Sequence, residues 1–77
     1  EKMLEIIEKI VYEATGKGHL TLDTAFVKDL ELNSFDIMNV IGSFEDYYNV
    51  SIETREVWQL HQVKDVIAYL KKNGITE

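Results

Sequence analysis

Asp29-Leu30-Glu31-Leu32-Asn33-Ser34-Phe35-Asp36-Ile37-Met38 is the stretch on which the reading of this chain turns. Beyond it, Met38, Val40, Ile41, Phe44 and Tyr48 recur at helical steps, and no basic residue appears between Ser34 and Tyr48. A long helix is therefore predicted from Asn33 or Ser34 to about Tyr48, with those five apolar residues inward. Asn33 suits the N-cap, because its side-chain oxygen can accept a first-turn N–H. Asp36 then falls at the third helical position, close to a capping box and favourable to the helix dipole. Gly42 sits mid-helix, at a cost of about 1 kcal/mol relative to Ala. A close contact at Gly42 is one explanation that the sequence leaves open.

Outward from this helix the pattern stays helical. Met3, Leu4, Ile7, Ile10, Val11 and Ala14 make one stripe on a first helix over about residues 2–14, with Glu5, Glu8, Lys9 and Glu13 on its other side. Thr15-Gly16-Lys17-Gly18 stops it, since glycine tolerates a left-handed terminal conformation. The long connection that follows carries Leu20, Leu22, Phe26, Val27, Leu30 and Leu32, all of which are expected to find cover. Residues 24–30 could form a turn or two of helix. Such a connection, with its own anchors, is usually packed and often functional. Downstream, Val50 and Ile52 anchor a turn, and Thr54 is placed to cap a short helix over residues 55–60 with Val57 and Leu60 inward. Trp58 is expected in the core or at its rim, and Tyr47 and Tyr48 at the lower end of the bundle. A last helix is predicted over residues 63–72 from Val63, Val66, Ile67 and Leu70, with Lys71 and Lys72 in its final turn and Asn73-Gly74 as its stop. The fold class is all-α: a small bundle of three main helices plus one short helix, with a long first connection.

Composition narrows the function. The chain has 77 residues, which suits a single domain over 1–77. A domain of this size buries only about 60% of its unfolded surface, so a deep catalytic cleft would take core it cannot spare. Lys plus Arg total 8 against 14 Asp plus Glu, a formal net charge of −6. That sign repels nucleic-acid phosphates and anionic lipid, and favours partners with basic patches. With no cysteine, disulfides, thiolate chemistry and Cys-based zinc sites are all excluded. No apolar run approaches the ~20 residues of a membrane span, and no signal-peptide pattern opens the chain. A cytoplasmic monomer is expected.

Ser34 is the residue best placed for chemistry. The first N–H groups of a helix have no intrahelical acceptors, and the helix end carries partial positive charge. A phosphate ester on Ser34 would be held there. The plainer reading is that Ser34 merely caps the helix, a common use of serine. Other constellations fail on spacing. Asp29, Glu31 and Asn33 step by two as in a calcium loop, but the sixth position is Ser34 and the twelfth Val40, where Gly and Glu are needed. His19 and His61 lack a close-spaced ligand partner and read as surface histidines, so no metal site is expected. No Gly-x-Ser-x-Gly elbow surrounds any serine, and no catalytic residue is assigned.

Phe26-Val27-Lys28-Asp29-Leu30-Glu31-Leu32-Asn33-Ser34-Phe35-Asp36, followed by a helix ending Phe44-Glu45-Asp46-Tyr47-Tyr48, resembles the acyl carrier protein family in order and spacing. Ile52, Val63, Asp65 and Val66 also fall where that family places similar residues. The first helix matches in pattern and length. In the family an Asp-Ser-Leu motif opens the second helix, and its serine bears 4'-phosphopantetheine. Here Asn33 replaces the Asp and Phe35 the Leu.

The resemblance implies a carrier and not an enzyme. A phosphopantetheinyl transferase (holo-carrier synthase) would attach the arm covalently to Ser34 from coenzyme A, with magnesium supplied at its own site. The arm's thiol would carry acyl chains as thioesters, which explains how a chain without cysteine does thiol chemistry. Acyl-processing enzymes with basic patches would dock on Glu31, Asn33, Phe35, Asp36, Ile37, Glu45 and Asp46. Met38, Ile41, Phe44, Ile52, Val57 and Leu60 would shelter the acyl chain, although each taken singly is as readily plain core. Fatty acid biosynthesis is the first expectation. A specialised pathway, polyketide or activated amino acid such as D-alanine, is the alternative, as is an unmodified helical interaction module of the same fold.

Overall fold

Met3, Ile7, Ile10 and Val11 form the buried stripe of α1 (Lys2–Thr15) in the computed structural model, which describes residues 2–76. Leu4, Ile6 and Ala14 pack beside them. The helix ends where Gly16 takes φ +78° and returns its N–H to the Tyr12 carbonyl at 2.8 Å, a conformation glycine adopts without steric cost. Gly18 has a different reason. A Cβ there would stand 2.7 Å from the Tyr12 Cβ, so the chain can turn back over α1 only without a side chain.

Three further helices follow: α2 (Ser34–Tyr48), α3 (Thr54–Val57) and α4 (Val63–Lys72). Among the described residues there is no strand, only an isolated bridge between Ala25 and Gln62. α1 packs against α2 and α4. Phe44 from α2 and Val63, Val66 and Leu70 from α4 are fully buried with Met3, Ile7 and Val11. Each such side chain contributes about 1.5–3 kcal/mol of hydrophobic stabilisation. The all-α expectation therefore holds, and the bounds of α2 and α4 agree with the apolar periods.

The long connection is packed, as its anchors imply, but unevenly. Leu20, Phe26 and Leu32 are buried and Leu30 half-buried, whereas Leu22 and Val27 stay exposed. The backbone around Leu22 is committed elsewhere. The Leu22 carbonyl accepts the Lys64 N–H at 2.9 Å and the Thr24 carbonyl the Val63 N–H at 3.0 Å. These carbonyls satisfy N–H groups at the start of α4 that have no intrahelical partner. Residues 24–30 do not become a helix. The Asp29 and Leu30 N–H groups both reach the Ala25 carbonyl, at 3.0 and 3.2 Å, and Asp29 Oδ2 accepts the Ala25 N–H at 2.7 Å. The turn then breaks at Glu31, whose φ is +56°.

Other expectations are corrected. Met38 is exposed. At ~100° per residue it is turned well away from the centre of the Val40, Ile41 and Phe44 stripe. α3 is one turn, and Thr54 lies inside it without capping it; Glu53 holds the N-cap position and forms no side-chain cap. Residues beyond Val57 close through tighter bonds, Gln59 N–H to Glu56 carbonyl at 3.0 Å and Leu60 N–H to Val57 carbonyl at 3.1 Å. Trp58 is exposed, so of the two expected places it takes the rim and not the core. Tyr47 is exposed too and meets the half-buried Tyr48 ring edge-on, with centroids 4.9 Å apart. Nothing lies within 4 Å of a Cβ built on Gly42, so no close contact accounts for that glycine.

Candidate functional site

The start of α2 is built by Asn33 and Asp36. Asn33 Oδ1 accepts the Asp36 N–H at 2.8 Å, and Asp36 Oδ2 accepts the Asn33 N–H at 3.4 Å. Asn33 has extended backbone, and the Ile37 N–H reaches its carbonyl at 3.0 Å. Ser34 is therefore the first helical residue and not the cap. It is exposed, and its hydroxyl takes part in no hydrogen bond among the described residues. The N–H groups of Ser34 and Phe35 are likewise uncommitted. A free hydroxyl beside free helical N–H groups fits an esterified phosphate, because donor groups and dipole both favour the anion. Ser43 differs: its Oγ donates to the Asn39 carbonyl at 3.1 Å within the helix. Ser51 lies in the connection between α2 and α3, two residues before the Glu53 N-cap and outside any helix.

The residues named as docking candidates do not all stand free. Glu31, Asn33, Phe35 and Asp46 are exposed, and Phe35 is 74% so, the most of any large apolar side chain described. Asp36 is half-buried in the capping box. Ile37 is half-buried and packs against the core. Glu45 is partly spent on structure, its Oε2 accepting the Ile52 N–H at 2.8 Å in the turn after α2. Asn49 ends the helix in a left-handed conformation with φ +54°.

A cavity of about 590 Å³ lies between the long connection, α2, α3 and the start of α4. Ile41, Phe44, Val57 and Leu60 line it, as does Ile37. Ile52 is buried but lies outside its walls, and Met38 faces solvent. Beside Val40, the buried floor also includes Phe26, Leu32 and Val66. Sequence periodicity could not assign those three to the cavity. Two lie in the irregular connection, and the third belongs to the general core stripe of α4. Val27, Lys28, Trp58 and His61 form the exposed rim. The Phe26 N–H donates to the His61 carbonyl at 3.0 Å and so ties the two sides of that rim. Tyr69 Oη donates to Glu56 Oε1 at 3.3 Å and links α3 to α4. Burial pushes the Tyr69 phenol above its ordinary pKa, and the Glu56, Glu53 and Glu45 carboxylates add to the effect.

Among the described residues no three His, Asp or Glu side chains are placed to hold a metal ion, and His19 and His61 are both exposed. No described helix is long and apolar enough to cross a membrane.

Comparison with known proteins gives a consistent picture. The family model described as "Phosphopantetheine attachment site" matches residues 1–70. The acyl carrier protein of Tropheryma whipplei (strain Twist) is 38% identical over 72 residues, covering 91% of this chain and 88% of its own. That of Streptococcus pyogenes serotype M1 is 36% identical over 74 residues, covering 94% of this chain and 96% of its own. The acyl carrier protein of Rhodococcus erythropolis is 31% identical over 74 residues, covering 94% and 81%.

Proposed function

Because the chain belongs to the phosphopantetheine-attachment family of acyl carrier proteins, we propose that Ser34 is the residue that bears its covalent 4'-phosphopantetheine, and that fatty acid biosynthesis is the pathway it serves. The family's members are carriers and not enzymes, and interaction with a phosphopantetheinyl transferase and with acyl-processing enzymes comes with membership. The observation that carries the Ser34 reading is its uncommitted hydroxyl at the first position of α2, with the cap supplied by Asn33 instead.

The chemistry asks little of the carrier. The Ser34 oxygen displaces the adenosine bisphosphate half of coenzyme A at phosphorus, and the hydroxyl proton passes to a base on the transferase. Ser34 would hold the arm through a phosphodiester, for whose oxygens the Ser34 and Phe35 N–H groups are available. The arm ends in a thiol, which holds acyl groups as thioesters. Exposed Phe35 and the acids Glu31, Asp36 and Asp46 give the start and outer side of α2 an apolar point in an acidic field. Such a surface suits a partner with a basic rim. The cavity beside α2 is of a size to take the acyl chain, with Ile41, Phe44, Val57 and Leu60 as its apolar contacts. Residues 1–77 act as one carrier unit in this reading, and a monomer suffices for every step of it.

The test is intact mass after incubation with coenzyme A and a broad-specificity transferase. Wild type should gain one phosphopantetheine. Ser34→Ala should gain none while keeping its helical circular dichroism. Modification that persists in Ser34→Ala would end the assignment.

A further inference from the structure

The cavity is apolar within, but its mouth has a definite electrical character. No Asp or Glu lines it, although acids outnumber Lys plus Arg by 14 to 8 in the chain. Its rim instead carries Lys28, His61 and the Trp58 indole, all exposed. Among the described residues none of these three side chains makes a hydrogen bond or ion pair. The fourth polar residue of the wall, Gln62, is already committed, its Nε2 donating to the Asp23 carbonyl at 3.0 Å. The nearby acids are engaged as well. Asp29 Oδ2 holds the Ala25 N–H, and Asp65 Oδ2 accepts the His61 and Gln62 N–H groups at 3.2 and 3.0 Å. The two segments of the rim are fixed side by side by the Phe26–His61 backbone bond and the Ala25–Gln62 bridge. An apolar floor thus opens through a mouth of unspent donors with no carboxylate among its lining residues.

We propose that this cavity selects acyl chains whose far end carries a carboxylate, with Lys28 and His61 receiving that carboxylate at the mouth. The inference rests on the reading of the cavity as the acyl shelter. A carboxylate accepts only, and Lys28 donates only, so their pairing needs no rearrangement. At the exposed rim the charged end keeps part of its hydration while the methylene chain is buried, which avoids the large cost of drawing an ion into the core. A plain alkyl end gains nothing from these donors. An ammonium-ended cargo such as an aminoacyl group meets a cation there.

The experiment loads the protein through the transferase with coenzyme A, octanoyl-coenzyme A or suberoyl-coenzyme A, and compares melting temperatures at low salt. The octanoyl form should melt above the form with a bare arm. The suberoyl form should melt a further ~2–6 °C higher, as expected for one partly exposed ion pair in a domain this small. Lys28→Gln combined with His61→Gln should abolish that surplus and leave the octanoyl gain intact, which also shows that the variant folds. A suberoyl form no more stable than the octanoyl form, or a surplus that survives in the double variant, overturns the selection while the shelter stands. If neither acyl group raises the melting temperature, the shelter itself falls, and the selection with it. Absence of any mass gain on loading would overturn the attachment reading first.

Discussion

Asn33 and Asp36 exchange hydrogen bonds across the first turn of α2, the Asn33 amide oxygen accepting the Asp36 N–H at 2.8 Å and an Asp36 carboxylate oxygen accepting the Asn33 N–H at 3.4 Å. The serine between them is thereby excused from capping. Helix stability and the candidate attachment point reside in different side chains, and the two can be separated by mutation. Asn33→Ala should destabilise the protein by about 0.5–2 kcal/mol, the usual cost of a lost N-cap. Ser34→Ala should stay within about 0.5 kcal/mol of wild type, as surface substitutions without structural partners do. Urea melts of both variants check this, and a Ser34→Ala loss equal to that of Asn33→Ala would show that the serine hydroxyl is structural.

The docking charges call for a gentler substitution than reversal, because Asp36 also belongs to the capping box. Asp36→Asn removes the charge and keeps an acceptor for the Asn33 N–H. Exposed charges act mainly on the rate of encounter, over a reach of about 10 Å at 0.1 M salt. Modification by the transferase should therefore slow as salt rises. Asp36→Asn, two residues from Ser34, should slow it more than Asp46→Asn toward the far end of α2. Transferase titrations at two salt concentrations check this, and equal rates for both variants and wild type would remove the electrostatic surface.

Tyr48 buries its hydroxyl without a hydrogen-bond partner among the described residues. Burial, and secondarily the neighbouring Tyr47, raises its pKa above the ordinary 10.0. An unpartnered buried donor costs stability, so Tyr48→Phe should stabilise by ~1 kcal/mol at neutral pH. The raised pKa also sets a pH dependence. The native state holds the phenol proton more tightly than the unfolded chain does, so this contribution is whole below about pH 10 and is lost as pH rises through the native-state pKa. Part of the alkaline loss of stability should therefore vanish in Tyr48→Phe, and Tyr69, shifted the same way, should account for more. Melting temperatures from pH 7 to 11 for wild type and Tyr48→Phe measure both effects.

Gly42 offers a stabilising change. It lies in the middle of α2 with ordinary helical geometry, and a Cβ there meets nothing within 4 Å. Gly42→Ala should therefore add about 1 kcal/mol from helix propensity alone and raise the melting temperature by about 4–8 °C. A fall in melting temperature would reveal a role for the glycine that the packing does not show.

The sequence by itself determined the three longer helices and the position of Ser34 at the start of α2. α2 and α4 follow from apolar periods bounded by Asn33, Asn49 and Asn73-Gly74, all of which are local signals that act through a single turn of backbone. The same locality made the capping box legible, since its partners lie three residues apart. What tertiary structure decided is which apolar residues are covered and by what. Leu22 and Val27 looked like anchors and are exposed, because the backbone of their connection is held by bonds to α4 and to His61, far along the chain. Met38 fell on the wrong side of α2, since a stripe of several apolar residues leaves the helix's rotation undefined until a neighbour packs against it. Four residues of the cavity wall, Ile41, Phe44, Val57 and Leu60, were named from the family resemblance, but the rim donors Lys28 and His61 were not, for the same reason. They are brought together by the Phe26 N–H to His61 carbonyl bond, which joins residues 35 positions apart and leaves no mark in any local pattern.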